Sequence, residues 1–129
     1  MTQEEMKLRT KKFALRIIKL VESLENTRTS EIIGRQPLRS GTSVGANYRA
    51  ACRAKSTADF ISKLSIVEEE ADESIYWIEM LVESNQIRQN LVEKLLDEAN
   101  QILSIIVKAI KTSKENRNPK SAIPIPKSL

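Results

Sequence analysis

Arg39-Ser40-Gly41-Thr42-Ser43-Val44-Gly45-Ala46-Asn47-Tyr48-Arg49 is the stretch whose reading decides the fold. It lies in a chain that otherwise reads as amphipathic helix. Every glycine of the chain, Gly34, Gly41 and Gly45, falls in or just before it. A glycine inside a helix costs about 1 kcal/mol relative to alanine. A helix that keeps three is built to pass close to another backbone. On a wheel of about 100° per residue with Arg35 at zero, Gly34, Gly41, Gly45 and Cys52 gather between about −80° and −120°. Val44, Tyr48 and Ala51 continue that small, apolar surface. Gly41-x-x-x-Gly45 lets two helices approach closely, a steric logic best attested in membranes but general. The contact lies either inside one bundle or between subunits.

The opposite side of the same helix is basic. Arg35, Arg39, Arg49 and Arg53 share an arc of about 80° if the helix is continuous. Residues 28–55 hold six basic side chains and one acidic, and residues 56–85 hold one basic and eight acidic. So steep a segregation, within a net charge of +4, points to pairing inside the bundle or between subunits. One reading pairs the arginines with the run Glu68-Glu69-Glu70-Ala71-Asp72-Glu73 of the next helix. The other makes them a phosphate-binding strip for nucleic acid.

Working outward, the periodicity predicts four helices over about 2–25, 30–54, 58–84 and 88–114, and no strand. Phe13, Ile17, Leu20, Val21 and Leu24 recur at helical spacing in the first. Ser30 is the expected N-cap of the second, and Pro37 predicts a kink or a late start near Gln36. Ser56-Thr57 opens the third, whose stripe is Phe60, Leu64, Val67, Ala71, Ile75, Ile78 and Val82. The fourth carries two stripes, one of Leu91, Leu95, Ile102, Ile106 and Ala109 and one of Val92, Leu96, Leu103, Val107 and Ile110. A surface so wide suggests burial on two sides. Short connections between long helices predict an antiparallel up-down-up-down four-helix bundle over 1–115. Residues 116–129, with three prolines, read as a flexible tail.

Composition narrows the chemistry. The chain has no histidine, which removes the commonest general base and metal ligand and the usual hydrolase triad. Its one cysteine, Cys52, excludes an intramolecular disulfide and reads first as a small buried apolar residue. No apolar run has the roughly 18 residues of a membrane span, and the N-terminus has no signal-peptide core. The expected location is cytoplasmic, with no membrane partner and no cofactor. Glu69-Glu70-x-x-Glu73 places carboxylates at i,i+3 and i,i+4, a spacing that can hold Mg²⁺. All-helical nucleotide pyrophosphatases add a later Glu-x-x-Asp. Here Glu93-Lys94-Leu95-Leu96-Asp97 has one residue too many, so a carboxylate Mg²⁺ hydrolase is the lesser alternative and no metal site is assigned.

Gln36 through Arg49, Asp59-Phe60-Ile61-x-Lys63-Leu64 and Glu70-Ala71-Asp72-Glu73-x-x-Tyr76-Trp77 resemble a known family. It comprises the four-helix-bundle proteins named for open reading frames in intervening sequences of bacterial 23S rRNA genes. Arg9-Thr10-Lys11-Lys12-Phe13-Ala14 and Ile110-Lys111-Thr112 resemble its first and last helices, and the likeness spans about residues 7–115. The resemblance implies a toroidal homopentamer without established enzymatic activity. A related protein, the accessory variability determinant of diversity-generating retroelements, partners a reverse transcriptase and nucleic acid. Arg39, Asn47, Glu70, Glu73 and Trp77 sit at motif positions, which implies a partly buried polar network with Arg39 and Asn47 bonded to carboxylates of the third helix. Arg35, Arg49, Arg53 and Lys55 are then the candidates for RNA or DNA, and Gly41 and Gly45 for close helix packing. The alternative is a structural or protein-binding scaffold.

Overall fold

Four helices account for most of the chain: α1 Gln3–Glu22, α2 Arg28–Cys52, α3 Thr57–Glu83 and α4 Gln89–Arg117. The computed structural model describes residues 1–117. The proposed tail falls beyond them, apart from Asn116 and Arg117, which continue α4.

Each helix starts where a side chain can take up its free amides. Thr2 caps α1 in a reciprocal box with Glu5: the Glu5 amide donates to Thr2 Oγ1 at 3.0 Å, and the Thr2 amide donates to Glu5 Oε1 at 2.7 Å. Thr27, rather than Ser30, caps α2, its Oγ1 accepting the Ser30 amide at 3.0 Å. Ser30 lies instead inside the first turn, buried, and donates to Gln86 Oε1 at 2.8 Å. Ser56 caps α3 by accepting the Asp59 amide.

Pro37 does not delay α2, which is already helical from Arg28. The ring removes only the amide that would have bonded the Ile33 carbonyl, and it is itself buried in the core. The third helix ends in a Schellman turn. Asn85 takes the left-handed conformation at φ 63°, the Gln86 amide reaches the Leu81 carbonyl at 2.8 Å, and the Asn85 amide reaches Val82 at 3.0 Å. The Gln86 side chain then ties this turn to the start of α2.

α1 packs on α2, α2 on α3, α3 on α4, and α4 meets α1 along the thinnest of the four seams. The backbones of α1 and α3 do not approach each other closely, nor do those of α2 and α4, so each pair stands at opposite corners. Partner numbers run in opposite senses across the first two seams. Gly34 faces Leu24, Gly41 faces Ile17 and Gly45 faces Thr10; Ser30 meets Gln86, and Ser40 meets Ser74.

The core is aliphatic around Phe13, with Ile17, Val44, Leu64, Ile78 and Ile102 fully enclosed. Two stripes shift from their expected lines. On α3 the buried positions are Ile61, Ser74 and Leu81 where Phe60, Ile75 and Val82 were expected, and the latter three lie half-buried on the flank of the core. Ser74 can turn inward because its hydroxyl finds partners there. On α4 a single seam draws from both stripes, Val92, Leu95, Ala99, Ile102, Ile106 and Ile110, while Leu91 and Val107 face outward.

Candidate nucleic-acid interface

The glycine face of α2 lies against α1. An added methyl at Gly41 would meet Ile17 Cγ1 at 2.7 Å, and one at Gly45 would meet Thr10 Oγ1 at 3.1 Å. Thr10 already donates its hydroxyl to its own helix, to the Met6 carbonyl at 2.9 Å, so the oxygen that faces the glycine is not left an orphaned group. The close approach joins two helices of one chain and leaves the other faces of α2 for α3 and for solvent.

On the α3 side, Arg39 acts as a clasp. Its Nη2 donates to Glu73 Oε2 at 2.8 Å and its Nη1 to Glu70 Oε2 at 3.3 Å. The Trp77 indole N–H donates to the same Glu73 oxygen at 3.2 Å, and Tyr76 meets Trp77 edge to face with ring centres 4.9 Å apart. Arg39, ahead of Trp77, holds the Glu73 carboxyl below its ordinary pKa, and the two carboxylates raise that of the guanidinium. Directly beneath, Ser40 and Ser74 share a buried hydrogen bond of 2.9 Å. Ser74 donates its single proton to the Glu70 carbonyl at 2.8 Å, so Ser40 is the donor between the two hydroxyls.

Asn47 departs from its expected role. Its Nδ2 donates to the Ser43 carbonyl of its own helix at 2.8 Å and reaches no carboxylate. A side chain this short satisfies itself four residues back before it can cross a groove.

The four candidate cations split. Arg35 lies near Glu31 of its own helix at 3.7 Å, with both groups well exposed. Arg49, Arg53 and Lys55 are exposed, and their side chains reach no carboxylate among the described residues. Arg49 and Arg53 are one helical turn apart, about 6 Å along the axis. Lys55 follows in the α2–α3 turn, where its amide donates to Asp59 Oδ2 at 3.2 Å and fixes its backbone. These three residues form a short basic edge beside an open cleft of about 410 Å³ lined by Gln3, Cys52, Ser56 and Phe60. Cys52 is half-buried beside Tyr48, whose phenol is pushed up first by burial and then by that thiol.

Two contacts had no counterpart in the sequence reading. Ser40–Ser74 is one. The other crosses the thin α1–α4 seam: Arg9 Nε and Nη2 donate to Glu98 at 2.6 and 2.8 Å, and Nη2 also donates to Gln101 Oε1 at 2.6 Å. Among the described residues no three acidic or thiol groups converge to hold a metal ion. Glu70 and Glu73, the core of the acidic motif, face Arg39 instead. No described helix is long and apolar enough to cross a membrane.

The fold and this site define a small all-helical protein with a polar network between α2 and α3 and a short basic edge at the α2–α3 turn. The family model of the 23S rRNA-intervening sequence protein matches residues 3–108, and the chain belongs to that family. A solved structure from Bacteroides thetaiotaomicron, described as a protein of unknown function from the S23 ribosomal protein family, is similar with 38% identity and a TM-score of 0.79. The match covers 86% of this chain and 99% of that one. Comparison with curated proteins gives no match.

Proposed function

We propose that this chain is a non-enzymatic, self-assembling bundle that binds RNA or DNA through the basic edge of Arg49, Arg53 and Lys55. The observation that carries the reading is that these three cations are exposed and unpaired while Arg39, on the same helix, is clasped by α3. Cations held without partners on a fixed helix end are ready to take phosphates, and displacing counterions from nucleic acid supplies the driving force. Arg35, a further turn-set away and near Glu31, serves as an outlying contact.

The opposed registers of α1 with α2 and of α2 with α3, and the short turns, support an up-down-up-down bundle. The homopentamer implied by the family resemblance is part of the proposal. Five basic edges on one assembly turn weak single contacts into avid binding. The reading places the protein in the cytoplasm and admits a nucleic-acid enzyme, such as a reverse transcriptase, as its protein partner.

The test is titration of a fluorescent mixed-sequence RNA at two salt concentrations, with light scattering on the same sample. Binding should weaken steeply with salt. Arg49→Glu/Arg53→Glu should weaken it further and flatten the log–log salt slope by about 1.4, the share of two phosphate contacts on a single strand. Equal binding by the parent and this variant, or none at low salt, would refute the assignment. Salt-insensitive capture of a protein instead would make the molecule a scaffold.

A further inference from the structure

α1 and α3 occupy opposite corners of the bundle, and each leaves an apolar strip outside the core. On α1 the strip is Leu8 and Leu15, each 54% exposed and two turns apart. Lys11, Lys12, Arg16 and Lys19 surround them within an arc of about 140°; Glu4, Glu5 and Glu22 share that arc only at the two ends of the helix, where Lys7 takes Glu4 and the Thr2 amide takes Glu5. All four cations are exposed, and none pairs with a carboxylate among the described residues. On α3 the strip is Ile66 and Tyr76, 41% and 52% exposed. Glu69, Asp72, Glu79 and Glu83 accompany them within an arc of similar width, again exposed and unpaired among the described residues. The clasp of Arg39 takes Glu70 and Glu73 and leaves this outer row untouched.

One molecule thus presents two leucines ringed by four cations on one corner, and an isoleucine and a tyrosine ringed by four anions on the corner opposite. Neither face can satisfy the other within the chain, because the two lie on the outer sides of diagonally opposite helices. Like faces repel: α1 against α1 sets cation on cation, and α3 against α3 sets anion on anion. Only α1 against α3 joins apolar to apolar and positive to negative.

We propose that the outer face of α1 in one copy docks on the outer face of α3 in the next. The partner is a second copy of this chain, and the contact is head-to-tail. Such a heterologous contact repeats: it closes into a ring if the rotation between copies allows and otherwise continues as a filament. A two-fold dimer through either face is disfavoured by the charge at its centre. The proposal rests on the self-assembly reading above and assigns the surfaces that make the assembly.

Charge reversal tests it without touching the core. Lys11→Glu/Lys12→Glu/Lys19→Glu makes both corners acidic, and Glu69→Lys/Asp72→Lys/Glu79→Lys makes both basic. Sedimentation at low salt should give each variant alone the monomer mass of 14.6 kDa, at concentrations where the parent assembles. An equal mixture of the two should give alternating oligomers well above the monomer mass, open or with an even number of copies and not a closed pentamer, because acidic α1 then meets basic α3 across one contact and the native pairing recurs across the next. Circular dichroism should show both variants as helical as the parent. If the parent assembles and the variants assemble equally, self-assembly stands but these faces are wrong. If the variants are monomeric and the mixture stays so, the faces do not meet and the proposal fails. A parent that is monomeric throughout overturns both the faces and the assembly. Loss of RNA binding by Lys11→Glu/Lys12→Glu/Lys19→Glu at unchanged mass would give the α1 face to nucleic acid and refute its role between copies.

Discussion

Replacing the three glycines of α2 one at a time by alanine separates helix propensity from helix spacing. Propensity alone predicts that each change stabilises by about 1 kcal/mol. The spacing says otherwise, and differently at each site. At Gly41 the new methyl would lie 2.7 Å from Ile17 Cγ1 and 3.0 Å from Cγ2, about 1 Å inside normal carbon contact. Ile17 is fully buried and branched at the contact, so it has nowhere to turn. Overpacking of this kind costs about 1–3 kcal/mol. The overlap belongs to the upper part of that range, and the expected net loss is about 1–2 kcal/mol, or roughly 4–8 °C in Tm for a chain this size. At Gly45 the nearest atom, Thr10 Oγ1, stands at 3.1 Å, and loss and gain should nearly cancel. At Gly34 the contact is the tip of Leu24 at 3.0 Å, which can swing aside, so alanine should be neutral or stabilise by up to about 1 kcal/mol. Urea unfolding followed by circular dichroism at one fixed protomer concentration gives the three values. The control is Ile17→Ala, which should cost about 2–5 kcal/mol alone and should turn Gly41→Ala from harmful to favourable by partly refilling the hole. A stabilised Gly41→Ala in the parent, or no coupling to Ile17, would refute the claim that these glycines set the α1–α2 distance.

The buried serine pair should behave as a coupled unit: Ser74→Ala orphans the Ser40 donor and should cost about 1–2 kcal/mol, whereas Ser40→Ala/Ser74→Ala should cost less than the two single changes summed, as read by a double-mutant cycle. Arg9→Ala removes a two-pronged bond to a Glu98 that is only 19% exposed; denaturation should show a loss of about 1–2 kcal/mol, and Arg9→Lys should recover only part of it, since a lysine lacks the fork. Glu73 binds its proton less readily in the fold than in the unfolded chain, so its contribution is complete above the ordinary carboxylate range and disappears as pH falls through the lowered native pKa. Comparing urea midpoints at neutral pH and at about pH 3.5 should therefore show a smaller acid loss in Arg39→Gln than in the parent.

Helical periodicity made the four helices and most of their inward faces legible. The errors arose where one residue had two physically acceptable places. Thr27, Thr29 and Ser30 all offer a capping oxygen, and only the tertiary bond from Ser30 to Gln86 decides that Thr27 caps. Ser74 reads as a gap in an apolar stripe until Ser40 is seen opposite it. The Arg39 clasp was readable because a guanidinium faces two carboxylates one turn apart, a match of local patterns on successive helices. Asn47 was not, because its own backbone competes with every distant partner. Arg9 and Glu98, 89 residues apart, carry no local sign of each other. Arg49, Arg53 and Lys55 were candidates from the charge pattern of the second helix, but that their side chains reach no carboxylate needs coordinates.

The seams also order the folding of the bundle. Three of the four join helices that follow each other in the chain across turns of a few residues. Such contacts form quickly, because closing a short loop costs little entropy. The α1–α4 seam alone joins the two ends of the bundle, and it is the thinnest and depends on one arginine clasp. During synthesis α1, α2 and α3 can pack together before α4 has left the ribosome, with the flank that α4 covers still open. Whichever α4 arrives first closes that flank. In crowded polysomes the neighbour's α4 competes with the chain's own, so exchange of the last helix between copies is the characteristic misassembly this architecture has to outrun.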